Sequence, residues 1–170
     1  MNIRLAGAIL MASSIGLAAC SKKAPEDLPP APVETPSPTT TTTTSTGPTL
    51  GSQAHFEDAV NGQNVIYFDT DRYNIDSADA AALQSQAQYL MRYPSIRITV
   101  EGHADERGTR EYNLALGERR ANAAKNYLVG LGIDAARVTT VSYGKERPVA
   151  LASNESAWAQ NRRAVSVVVN

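Results

Sequence analysis

The chain has little of several things. One Cys, Cys20, excludes an intramolecular disulfide framework and a thiolate zinc cluster. Two His leave little material for a histidine metal site. The formal net charge is −1, without the basic excess that bulk attraction to nucleic acid requires, so no nucleic-acid partner is expected. No G-x-S-x-G is present. No apolar run approaches the roughly 20 residues of a permanent bilayer span. At 170 residues the chain has material for one domain and little more.

What is present is unevenly placed. Seven of the nine Pro lie before residue 50, and all ten aromatic residues lie after residue 55. Cys20 stands near the start. Three segments follow from this partition: 1–19, 20–54 and 55–170.

Residues 1–19 open with Arg4 and the N-terminal amine, then run apolar and small from Leu5 to Leu17. That is the pattern of a secretory signal peptide. Residues 20–54 are rich in Pro and include Thr39 to Thr44 as an unbroken Thr run. Such a stretch cannot bury enough surface to offset its ordering entropy. At ~3 Å per residue, about 30 residues reach on the order of 90 Å when stretched. The segment is read as a flexible tether.

Residues 55–170 carry the core. Val65 to Phe68 is a short apolar strand. Asp76 or Ser77 caps a helix with Leu83, Ala87 and Leu90 on one face, and Pro94 ends it. Ile96, Ile98 and Val100 alternate with polar residues, as in a half-buried strand. A polar loop, 102–109, leads to a helix from about Arg110 to Leu131 that stops at Gly132. Val138 to Tyr143 and Val165 to Val169 are further strands, and Trp158 lies in a connection with room for a short helix. The expected fold is α+β, β-α-β-α-β-β, a two-layer sandwich with the helices on one face of a four-stranded mixed sheet. The strand–helix–strand units predict parallel neighbours, with the last strand free to pair either way.

Asn113, Leu116 and Arg120 share one stripe of the second helix, bordering its apolar face. Arg120 is therefore placed at the edge of the core. Asp105 lies in the loop just before. One carboxylate and one guanidinium on a common rim suit a zwitterion: Arg takes a carboxylate bidentately and Asp takes an ammonium. A plain Asp105–Arg120 salt bridge fits the same pattern. His103 with Asp105, and Asp69 with Asp71, are short pairs that lack a third metal ligand; Asp71 and Arg72 suit a turn and a surface pair. Arg162 and Arg163 suit either a peptide carboxylate or a cap or salt bridge. Glu118, Arg119 and Lys125 read as solvated helix face, and Tyr112 and Tyr143 as packing residues with a polar tip.

Leu17-Ala18-Ala19-Cys20 resembles a lipoprotein lipobox, in which Cys20 is acylated and becomes the first mature residue. Ser21 after it implies the periplasmic face of the outer membrane. The stretch Thr99 to Thr109, with Glu111-Tyr112-Asn113, Leu116 to Ala121, Tyr67-Phe68-Asp69, Ser142 to Glu146 and Asn161 to Val165, resembles the peptidoglycan-associated lipoproteins and, more broadly, OmpA-like C-terminal domains. The resemblance implies non-covalent binding of the peptidoglycan stem peptide through its diaminopimelate residue. Asp105 and Arg120 would hold the ammonium and carboxylate, with Phe68, Asp69, Asn113 and Leu116 lining the pocket. It implies a link from outer membrane to wall within the Tol system that supports envelope integrity and cell division, with TolB as a periplasmic partner whose site overlaps the peptidoglycan surface. No cofactor and no catalysis are expected. A wall hydrolase would need an activated nucleophile, a metal or paired carboxylates in a cleft. A motor-stator protein would need a membrane helix with an ionisable residue. Alanine at Asp105 or Arg120 is expected to abolish retention on sacculi and to leave the fold intact.

Overall fold

The computed structural model describes residues 47–169. The expectations for the signal peptide, Cys20 and most of the tether lie outside these residues. Among the described residues no helix is long and apolar enough to cross a membrane.

The elements run α1 (Gln53–Ala59), β1 (Val65–Tyr67), α2 (Ser77–Arg92), β2 (Arg97–His103), α3 (Arg110–Gly130), β3 (Val138–Gly144), α4 (Glu155–Asn161) and β4 (Arg163–Val169). The fold is α+β with a four-stranded mixed sheet, as expected. Each helix has a polar side chain at its N-terminus to satisfy free N–H groups: Ser52, Asp76, Thr109 and Asn154. Helix α2 ends at Arg92, two residues before Pro94.

Three differences from the sequence reading matter. Helix α1 was not anticipated, and it begins inside the stretch read as tether. Its buried Phe56 and its C-cap Val60 fill the core. The Gln53 side chain accepts from the Val168 N–H at 2.7 Å and so ties α1 to β4. Second, Gly102 and His103 belong to β2 rather than to the loop.

Third, the strand order is β1-β4-β2-β3. β2 and β3 are parallel neighbours, as expected. β1 and β2 are not neighbours, because β4 lies between them and is antiparallel to both. A right-handed crossover fixes direction and hand but not adjacency, so α2 can step over one strand position. The apolar β4, Arg163–Val169, fills it and gains partners on both sides.

The helices cover one face. Ile98 and Val100 of β2 point into it, with Phe56, Ile66, Leu83, Leu90, Leu128 and Val138 around them. Gly102 and Gly117 bring β2 and α3 into backbone contact: a Cβ on Gly102 would overlap the Gly117 carbonyl.

His103 is buried, and neither ring nitrogen has a hydrogen-bond partner among the described residues. Burial, aided by the nearby Arg163 and Arg147 charges, pushes its pKa down to about 4 from 6.5. The unfolded chain therefore takes up a proton that the folded chain refuses. Stability should fall as pH drops from 6.5 towards 4, by about 3 kcal/mol across that window. Thermal melts of His103→Leu should show a flatter pH dependence there than the parent. An unchanged slope would exclude His103 as its source.

Candidate functional site

The loop between β2 and α3 is stapled from two sides. Lys145 Nζ donates to the Glu106 and Gly108 carbonyls at 3.1 and 2.7 Å. Trp158 Nε1 donates to Glu106 Oε1 at 2.9 Å, and the Arg107 guanidinium stacks over the Trp158 ring at 4.2 Å. Asn113, at the start of α3, donates from Nδ2 to the Arg107 carbonyl at 2.7 Å. The loop thus has a fixed shape, and it forms one wall of a cleft of about 290 Å³.

Asp105, Asn113, Leu116 and Arg120 all line that cleft, with Thr70, Asp71, Arg107 and Tyr112. Four of the six pocket residues expected from sequence therefore converge. Phe68 and Asp69 do not line it. They border a second cleft of about 320 Å³, with Asp76, Asp79 and Arg162. Arg120, which lines the first cleft, also touches both residues: its Nη2 donates to the Asp69 carbonyl at 3.0 Å, and its guanidinium carbon lies 5.2 Å from the Phe68 ring centre.

Arg120 is deeper than the core edge where the sequence placed it, at 0% exposure. The small residues Gly117, Ala121 and Ala124 let α3 sit close on the sheet and draw Arg120 inside. Its Nε donates to the Arg72 carbonyl at 2.9 Å and its Nη1 to the His103 carbonyl at 2.8 Å. Three carbonyls thus hold the guanidinium, and none carries a full charge. No ion pair among the described residues includes Arg120. Burial, with Arg162 nearby, lowers its pKa to about 10, so it stays charged at neutral pH.

Asp105 is not paired with Arg120, which removes the simple salt bridge left open by the sequence. Its Oδ1 accepts from the Arg107 backbone N–H and Nε, at 3.1 and 3.0 Å. Its Oδ2 accepts from Arg107 Nη2 at 2.7 Å and Arg162 Nη1 at 3.5 Å. Burial alone would raise this carboxyl; the two arginines outweigh it and hold it below the ordinary range. The Arg107 side chain is 39% exposed, so it can leave Asp105 without unpacking the core.

Arg107 was missed from sequence, although an Asp two residues before an Arg in a tight loop is a local signal. Arg162 takes the salt-bridge role rather than a free one, pairing with Asp105 and with Glu155 at 2.7 Å. Asp71 does sit in a turn, with φ at 55°, but it accepts from the Tyr112 hydroxyl at 3.0 Å rather than pairing with Arg72.

Residues 67–162 match the model of the OmpA family. Peptidoglycan-associated lipoproteins of Agrobacterium fabrum and Rhizobium meliloti are 57% and 56% identical over 120 residues, covering 71% of this chain and 67% of each relative. The crystal structure of the peptidoglycan-associated lipoprotein from Burkholderia pseudomallei superposes with a TM-score of 0.64 at 46% identity, covering 66% of this chain and 96% of that one. The matched span contains both clefts, the stapled loop and α3. By sequence and by fold, the chain belongs to the peptidoglycan-associated lipoproteins of the OmpA family.

Proposed function

We propose that the chain is an outer-membrane lipoprotein, anchored by acylated Cys20 on the periplasmic face, whose folded domain non-covalently grips the peptidoglycan stem peptide. In this reading the residues between Cys20 and α1 span the gap to the wall, and TolB and other Tol-system proteins are its protein partners. The family's members are structural wall-associated proteins, not enzymes, and this sets aside the hydrolase alternative.

One observation carries the binding step: Arg120 is a buried cation that forms no ion pair among the described residues, and it lines an open cleft. Burying an unpaired charge is costly, and a carboxylate arriving from a ligand relieves that cost. Three of the five N–H donors of Arg120 are used, which leaves two for that carboxylate. Asp105, in the same cleft, supplies the opposite charge. A diamino acid such as diaminopimelate presents a carboxylate and an ammonium on one carbon, which matches both. The ammonium has to share Asp105 with Arg107 or displace it, and the partial exposure of Arg107 makes room for that. Asn113 and Leu116 shape the wall against which the ligand's stem rests.

Asp105→Asn tests this. Asparagine keeps an acceptor for Arg107 and loses the charge. The variant should lose most of its co-sedimentation with purified sacculi, because a charge-assisted hydrogen bond contributes about 1.5–3 kcal/mol. Its thermal melt should report a folded protein. Wild-type retention by a folded variant contradicts the site.

A further inference from the structure

The two edges of the sheet are finished differently. β4 turns its even-numbered backbone groups to β1: the Ser166 N–H donates to the Asn64 carbonyl at 2.8 Å, and the Phe68 N–H donates to the Arg162 carbonyl at 2.9 Å. Beyond the short β1, Gln53 stands in for a strand. It accepts from the Val168 N–H at 2.7 Å and donates to the Ser166 carbonyl at 3.4 Å. β1 has three residues, and its outward Tyr67 N–H donates to Asp79 Oδ1 at 3.0 Å. Side chains close this edge.

β3 forms the other edge. The odd-numbered groups of β4 and β2 join those strands to each other, so β2 turns Ile98, Val100 and Gly102 to β3. β3 meets them with Thr139, Val141 and Tyr143, and Val138, Thr140 and Ser142 face outwards. The Val138 N–H donates to the Ala135 carbonyl. The backbone N–H and C=O of Thr140 and Ser142 have no partner among the described residues.

Nothing on the strand resists pairing. Val138–Gly144 contains neither the charge nor the proline that guards many edges. The flanking Arg137 and Lys145 are tied to carbonyls of their own domain. The contact of Gly117 with Gly102 sets α3 over β2, one strand in from the edge. Thr140 and Ser142 turn their side chains to α3, donating to Asn122 Oδ1 at 3.2 Å and to the Leu114 carbonyl at 2.7 Å. Val141 therefore lies half-buried on the face without helices.

An extended strand satisfies such an edge, and a second β3 fits it. Antiparallel pairing about a two-fold axis at Val141 sets Thr140 opposite Ser142 of the partner subunit. The free N–H and C=O groups of Thr140 and Ser142 are then all used, and no like charges in the paired strands oppose each other. Because the far edge is closed, pairing stops at two copies and does not run on into a fibre. We infer that the free edge of β3 is a self-association surface that joins two copies of the chain into one continuous sheet.

The test is sedimentation equilibrium of the full chain in detergent, with micelles in excess over protein. The parent should show a monomer–dimer equilibrium with a dissociation constant in the micromolar range of a small interface. Val141→Lys sets two ammonium groups against each other across the axis, and Val141→Glu sets two carboxylates. Each alone should weaken the dimer at least about tenfold. An equal mixture of the two should restore it, which misfolded variants would not do. Cross-linking checks the register. Val141→Cys should form an intermolecular disulfide under mild oxidation, beyond any formed by the parent, because paired Cα atoms lie about 4.5 Å apart. Thr139→Cys, on the same face, should not, because its two copies lie about 13 Å apart along the strands. A monomeric parent, a mixture no tighter than either variant alone, or equal cross-linking at 139 and 141 overturns the inference.

Discussion

Arg120→Leu should abolish retention on peptidoglycan sacculi and lower the stability of the domain at the same time. The sequence alone predicts the first effect with an intact fold, because it places Arg120 at the core edge. The structure changes the second half of that expectation. Arg120 ties together the Asp69 and Arg72 carbonyls after β1 and the His103 carbonyl at the end of β2. Removing it orphans three acceptors, and each costs about 1–3 kcal/mol when it stays buried. Loss of the buried charge offsets part of that. A net destabilisation of about 2–4 kcal/mol is expected from these opposing effects. Arg120→Lys separates binding from folding. Lysine keeps the charge but cannot reach three carbonyls and a ligand with one planar fork. It should be destabilised less than Arg120→Leu, because it keeps the charge and part of the carbonyl contacts, and still bind sacculi at least about tenfold more weakly. Melting curves and co-sedimentation on the same preparations check both effects.

Gly102→Ala should prevent stable folding. The added methyl would overlap the Gly117 carbonyl, which is backbone on the facing helix. A flexible side chain could turn aside, but α3 can yield only by lifting off the sheet. That would separate Leu128, Ala124 and Ala121 from Val100 and Val138, all of which are buried. A cost above about 4 kcal/mol is expected, a large fraction of a small domain's stability. Circular dichroism should show no cooperative melt, or a midpoint lowered by tens of degrees. A midpoint within a few degrees of the parent would mean that α3 and β2 are not packed this closely.

Much of the fold was legible because its signals are local. Asp76 marks where α2 begins, Pro94 and Gly132 mark where α2 and α3 end, and the alternation around Val100 marks β2. The position of β4 was not legible. It depends on contacts made after α2 has crossed the sheet, such as the pairing of Val65 with Val165, and no short-range pattern encodes it. Helix α1 was hidden for a different reason. It offers the core Phe56 and its cap Val60, too few residues for a period, and it is held by a side-chain bond from Gln53 to β4.

The candidate site divides along the same line. Spacing put Asn113, Leu116 and Arg120 on one helix stripe with Asp105 in the loop before it, and the family resemblance implied that they share a pocket. The separation of Phe68 and Asp69 into a neighbouring cleft could not be read from spacing, because it depends on Arg162, which is bonded to the Phe68 carbonyl and to Asp105 across the sequence. That Arg107, not Arg120, is the cation on Asp105 had a local signal in the two-residue spacing, and it went unread.

The central claim is that Arg120 awaits a carboxylate. The direct test is a calorimetric titration of the unaltered protein with two muropeptides, one with free diaminopimelate and one with the carboxylate beside its free amine converted to amide. The account predicts that amidation weakens binding at least about tenfold, since it removes the charge that meets Arg120. Equal affinity for the two would contradict it.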